Sequence, residues 1–136
     1  MINKIKYEKL AVGLEFPPSY FSVDFNTLSA YLKATEDSSE LYDEGIVPPM
    51  AIAALAMKAL MGQFEILPGT VHTSQQLTFL NIARVGEKLI SIAKVTRKIA
   101  RGKFHMFSIS INVQKENGEI VITGELGFVL PLLQEK

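Results

Sequence analysis

The most constraining stretch of this 136-residue chain is Met50 to Met61, which carries a single polar side chain, Lys58. Pro48 and Pro49 precede it and suit a helix start, because a first-turn residue needs no N–H. A helix apolar on nearly every face has no side to show to water, so it must be wrapped from several directions. It is too short to leave the protein for a bilayer. The greasy segment from Ile46 to Met61 is 16 residues with two prolines and a lysine inside, against about 20 apolar residues for a crossing. The expectation is a buried central helix.

Beyond this helix the apolar period changes. Val71, Thr73, Gln75, Leu77 and Phe79 alternate with His72, Ser74, Gln76, Thr78 and Leu80, which predicts a half-buried strand. Leu89 to Ile99 is rich in β-branched residues. Phe107, Ile109, Ile111 and Val113 share one face, and Ile120, Ile122, Leu126, Phe128 and Leu130 supply another strand. Arg84 to Glu87, Ala100 to Lys103 and Glu116-Asn117-Gly118 read as the intervening turns, the last a strong hairpin signal. Ahead of the central helix, Val12 to Phe16 reads as a short strand stopped by Pro17-Pro18. Asp24 caps a first amphipathic helix over Phe25 to Thr35, with Phe25, Leu28, Tyr31 and Leu32 at helical spacing. Glu36 to Glu44 holds five carboxylates and no basic residue and reads as a polar loop. An apolar rod followed by an antiparallel meander is solved by curling the sheet around the helix. The fold class expected is α+β, the hot dog, as one domain over residues 1–136, with a free edge strand that a second chain would pair.

Composition removes several functions. Fourteen Lys and Arg balance fourteen Asp and Glu, so no global field would hold nucleic acid or an anionic membrane. The absence of cysteine excludes thiolate nucleophiles and thiolate metal sites and suits a reducing compartment, so a cytoplasmic protein is expected. The alternating start, Met1 to Leu10, lacks the apolar core of a secretory signal. Two isolated histidines and no Gly-rich phosphate loop predict neither metal nor cofactor. Lys94, Arg97, Lys98, Arg101 and Lys103 make one local cationic run, which fits either the phosphates of coenzyme A or an acidic carrier protein, or else a solvated hairpin.

Several segments in order resemble the MaoC-like hydratase and dehydratase family: Tyr31 to Asp37 through Tyr42, Val47-Pro48-Pro49-Met50, His72 to Phe79, Arg84 to Leu89 and Asn117 to Gly124. The resemblance implies the hot-dog fold and acyl thioesters of coenzyme A or acyl carrier protein as substrates. The family's loop runs Gly-Asp-x-Asn-Pro-x-His, and Glu36-Asp37-Ser38-Ser39-Glu40-Leu41-Tyr42 stands at the same spacing. Asp37 therefore matches the catalytic acid and Tyr42 replaces the His, with Ser39 as a small hydrogen-bonding neighbour.

Hydrating an enoyl thioester needs one group to deprotonate water and another to protonate carbon, work suited to groups titrating near pH 7. A phenol, with a reference pKa of about 10, can donate but is a poor base there. The family holds the thioester carbonyl with a backbone N–H at the start of the central helix. Pro48 and Pro49 have none, which leaves Met50 or Ala51 as donor, with Ser39, Pro49, Met50 and Ala51 as the expected substrate-binding residues. The double proline and the Tyr in place of His resemble the N-terminal, non-catalytic type of MaoC-like domain, which implies a homodimer or a heterodimer with a related MaoC-like subunit. A thioesterase ranks last, since Met50 to Gly62 has no acidic residue.

Overall fold

The computed structural model describes residues 4–131, and of Leu41 only the backbone. A 3-10 turn at Tyr7–Lys9 leads to β1 (Ser19–Phe21), α1 (Phe25–Thr35), a second 3-10 turn at Glu40–Glu44 and α2 (Pro49–Met61). Four strands come next, β2 (Val71–Phe79), β3 (Leu89–Arg101), β4 (Phe104–Lys115) and β5 (Ile120–Pro131). They join β1 in one five-stranded sheet of order β1-β3-β4-β5-β2, every pairing antiparallel. This is the α+β hot-dog arrangement that the apolar rod and the strands predict.

Local chemistry explains the elements. The Asp24 carboxylate accepts the Thr27 N–H at 2.7 Å and so caps α1. Leu28 is buried, and Tyr31 and Leu32 are packed beside it. At the other end Glu36 takes φ +55, and its N–H returns to the Leu32 and Lys33 carbonyls, which closes the helix by a left-handed cap. The β4–β5 turn closes through the Gly118 N–H on the Lys115 carbonyl, with φ +90 at Gly118.

The sheet's inner face and α2 form the core in two clusters. Ala51, Ile52, Ala53 and Ala56, toward the helix start, meet Leu89, Val113 and Ile122. Leu60, toward its end, meets Phe64, Phe107 and Phe128. Each buried Ile, Leu or Phe contributes about 1.5–3 kcal/mol of transfer free energy. Phe107 and Phe128 stack at 4.9 Å between ring centroids, and Phe64 stands edge-on to both.

Three expectations need correction. The helix is not covered all round: Met50 (46 % exposed), Ala54 and Lys58 form an open stripe at i, i+4 and i+8. One sheet and one short helix cover a single side, and the small Ala54 leaves little apolar area at stake on the other. The first strand lies after Pro17-Pro18, at Ser19–Phe21, while Glu15 makes only an isolated bridge to Lys94. Finally, β2 is neither half-buried nor beside β3. Its chain crosses the end of the sheet, held by the Val47 N–H on Ala83 O and the Val85 N–H on Gly45 O. β2 itself pairs with β5 at the far edge, where all of its residues but Leu77 are exposed.

At the opposite end from that crossing, Tyr7 is buried and its hydroxyl lies 3.0 Å from His105 Nδ1. Lys98 Nζ sits 4.4 Å from the centre of the Tyr7 ring and donates to the Tyr7 carbonyl at 3.1 Å. His105 is thus a partly buried, hydrogen-bonded imidazole. Lys98 belongs to the packing, whereas Lys94, Arg97, Arg101 and Lys103 reach toward solvent.

Candidate active site

The left-handed cap at Glu36 turns the chain sharply out of α1, and the next residue is Asp37. Its N–H bonds the Leu32 carbonyl at 3.0 Å, and its carboxylate accepts the Ser39 N–H at 3.0 Å. The backbone of Asp37 is held by the first bond and its carboxylate by the second, while the residue stays exposed. Position 36 is where the resembling loop has glycine, and φ +55 is the reason glycine suits it, since a Cβ is crowded in that conformation.

Tyr42 is half-buried on the 3-10 turn at Glu40–Glu44. Burial first, then the charge of Asp37, raises its phenol above the ordinary tyrosine value. It is therefore a neutral hydroxyl at physiological pH, a proton donor and not a base. Asp37 and Tyr42 thus lie close enough in one loop for the charge of the first to act on the second.

The wall at the start of α2 is only partly as expected. Pro48 is buried, Pro49 is half-buried and Ala51 is buried, while Met50 is exposed. The Ala51 N–H is already given to the Pro48 carbonyl at 3.0 Å. Among the described residues no acceptor meets the Met50 N–H, so of the two candidate donors this is the one left free at the positive end of the helix. The double proline moves the first available N–H one position into the helix, a consequence readable from the sequence alone.

Surface cavities flank β1. One of about 720 Å³ lies between β1 and the outer side of α2, lined in part by Pro18, Tyr20, Leu55, Ala59 and Gln63. A second, about 410 Å³, adjoins Phe21, Lys88 and Ile90. Among the described residues no group of three or more His, Asp or Glu is placed to hold a metal ion, and no helix is long and apolar enough to cross a membrane.

The sequence model of the FAS1-like dehydratase domain region matches residues 11–124. The chain belongs to this family. Solved structures share its fold at low identity. The (R)-hydratase from A. caviae involved in PHA biosynthesis superposes with a TM-score of 0.77 at 21 % identity, over 91 % of this chain and 99 % of that one. The MaoC-like dehydratase from Rhodospirillum rubrum gives 0.76 at 18 % identity, over 95 % and 98 %. The HadBC 3R-hydroxyacyl-ACP dehydratase complex from Mycobacterium tuberculosis gives 0.71 at 19 %, over 87 % and 96 %. No curated protein matches the chain by sequence. In this FAS1-like dehydratase region the fold is therefore the MaoC-like hot dog, and the match spans the Asp37 loop, α2, β2 to β4 and the start of β5.

Proposed function

We propose that this chain acts on acyl thioesters of coenzyme A or acyl carrier protein, as an (R)-specific enoyl-thioester hydratase working also as a 3-hydroxyacyl-thioester dehydratase. The observation that carries the reading is the Asp37–Tyr42 loop, with a carboxylate held by the Ser39 N–H and a phenol kept protonated by burial and by the Asp37 charge. In hydration, water loses a proton as its oxygen bonds to the β-carbon, and the α-carbon gains one as the double bond closes. Negative charge gathers on the thioester oxygen in between, where the Met50 N–H at the start of α2 stabilises it. Asp37 orients the water and takes its proton, and the Tyr42 hydroxyl gives its proton to carbon and regains one from Asp37 as product leaves. Pro49 and Ala51 shape the wall and Ser39 keeps the carboxylate in place. No step draws on a metal or a cofactor.

The free edge of β2 supports assembly with a second chain, its own copy or a related MaoC-like subunit. One observation favours a second reading. Tyr42 stands where the resembling loop has its catalytic His, which suits an acyl-binding subunit that houses the substrate for a catalytic MaoC-like partner.

Following the absorbance of an enoyl thioester separates the two. Asp37→Asn is expected to lower the hydration rate by about 100-fold or more, the usual scale for removing a positioned acid or base. Tyr42→His is expected to raise it, by restoring a group that titrates near neutrality. An Asp37→Asn variant as active as the parent overturns the enzyme reading. A parent that is inert alone, and stimulates a His-containing MaoC-like chain on mixing, establishes the subunit reading in its place.

A further inference from the structure

β2 carries an irregularity that its alternating sequence conceals. Its register on β5 runs Val71↔Val129, His72↔Phe128 and then Ser74↔Gly127, so Thr73 is an extra residue. The bulge puts His72 on the same face as Gln75 and Leu77, where strict alternation would set it opposite. The His72 ring stacks on Phe128 at 4.9 Å with 22° between the planes. Phe128 is 2 % exposed in the core beneath α2, so His72 lies on the helix-bearing face of the sheet. It remains exposed at an edge that no strand covers among the described residues.

Charge distribution indicates what covers that edge. The nine residues of β2 carry no charge, so pairing the strand with its own copy sets no like charges opposite one another. The five carboxylates of Glu36 to Glu44 lie at the end of the sheet where β3 begins, through the Gly45–Val85 and Ile46–Arg84 contacts. The exposed Arg101 and Lys103 lie at the other end, on the β3–β4 turn. A two-fold axis perpendicular to the sheet pairs β2 with a second β2 antiparallel and keeps both α2 helices on one face. The same rotation brings each acidic loop to the end at which the other copy presents its cations. It also carries His72 of the partner subunit to the end occupied by Phe79, Ala83 and the Asp37 loop.

We infer that a second copy of this chain pairs along β2 in this sense, and that His72 of the partner subunit completes the Asp37–Tyr42 site. The inference rests on the acyl-thioester reading and deepens it, because it supplies the imidazole that Tyr42 displaces. In hydration, the neutral imidazole takes the proton of water as the oxygen bonds to the β-carbon. Tyr42 gives its proton to the α-carbon, and the imidazolium returns a proton to the phenolate as product leaves. Water is consumed and no other reactant is needed.

Because the chain has no cysteine, placement can be read directly. Light scattering is expected to show a dimer. Mixed Ser38→Cys and His72→Cys chains are expected to be joined by a short bismaleimide, while His72→Cys alone is not, since the two-fold holds those positions far apart. A dimer in which only His72→Cys cross-links to itself, or in which the mixed pair does not cross-link, overturns the inference and leaves the acyl-thioester reading standing. A monomer overturns the pairing itself.

Chemistry is read by complementation. Asp37→Asn and His72→Gln homodimers are each expected to be nearly inactive. An equimolar re-equilibrated mixture is expected to recover about a quarter of the parental rate, because half the dimers are mixed and each of those has one intact site. No recovery shows that the two residues do not meet across the two-fold and overturns the inference. An inert parental protein overturns the hydratase reading and the chemical role of His72 with it, while the cross-link still decides where His72 lies.

Discussion

β4 and β2 read alike as sequence and differ as structure. Both alternate apolar and polar residues, yet β4 buries Phe107, Ile109, Ile111 and Val113 completely, while β2 leaves Val71 52 % and Phe79 45 % exposed. The difference lies in what stands over each strand. β4 runs beneath α2 with a strand on either side; β2 has β5 on one side only, and of its apolar side chains only Leu77 packs against the core. Alternation therefore records that a strand has two unlike faces, and whether the apolar one is covered depends on elements elsewhere.

The largest effects should fall on the covered side of this comparison. Phe128→Ala is expected to cost about 3–5 kcal/mol, the range for deleting a buried aromatic ring and leaving a cavity. Phe79→Ala, removing a half-exposed ring, is expected to cost less than about 1 kcal/mol in urea unfolding at low protein concentration, its effect appearing instead as weaker dimerisation. Equal losses in unfolding from the two substitutions would break the contrast between the strands.

Next in size is the seam that joins the two kinds of strand. A Cβ added at Gly124 would run into the Gln76 carbonyl and the Leu77 side chain, and one at Gly127 into the Ser74 hydroxyl. These glycines let β2 approach β5 closely. Gly124→Ala is expected to destabilise the protein by about 2 kcal/mol, because the obstacle is backbone and cannot rotate away. Hydrogen exchange sharpens the point: amides of β2 should lose protection while those paired between β3 and β4 keep theirs. Uniform loss across the sheet would mean that β2 does not open separately from the inner strands.

Strain is also found outside the inner strands. Glu36, at φ +55, is the one non-glycine residue with positive φ among the described residues, and it opens the loop that carries Asp37. Glu36→Gly is expected to raise stability by about 1 kcal/mol in thermal unfolding, relieving a crowded Cβ. An unchanged or lower melting temperature would show that the Glu36 side chain contributes something the glycine cannot.

The same contrast explains why parts of the molecule were legible in the sequence and others were not. The Asp24 cap, the α2 rod behind Pro48-Pro49 and the Asn117-Gly118 hairpin depend on residues close together in the chain, so their chemistry is written locally. The placement of β2 beside β5 depends on which strand meets which, and no residue within β2 states its partner. The bulge at Thr73 leaves the period-two pattern undisturbed on paper and yet moves His72 to the other face. At the site, Asp37 and Tyr42 were recognisable from the spacing of a resembling loop. The left-handed turn before them was hidden because Glu36 occupies a place that glycine would have marked. The engagement of the Ala51 N–H by the Pro48 carbonyl, which singles out Met50, is a matter of first-turn geometry that the sequence leaves open.

The smallest expected effect concerns α1, which packs over the site end of the core and whose first turn faces solvent. The Thr27 N–H on its carboxylate holds Asp24 below the usual aspartate range. A carboxyl whose folded value is lowered binds protons more weakly folded than unfolded, so its stabilising contribution is complete above the unfolded value of about 3.9. That contribution is lost as pH falls through the lowered folded value. Amides in the first turn of α1 should accordingly exchange faster on acidification before those shared by β3 and β4 do. Asp24→Asn keeps an acceptor for Thr27 and removes the charge; it should leave α1 capped at neutral pH and flatten this acid response. If the response persists unchanged in Asp24→Asn, some other carboxyl governs the end of the molecule that carries the site, and Glu87, which accepts the Arg84 N–H at 2.6 Å in the crossing from β2 to β3, is the next to replace.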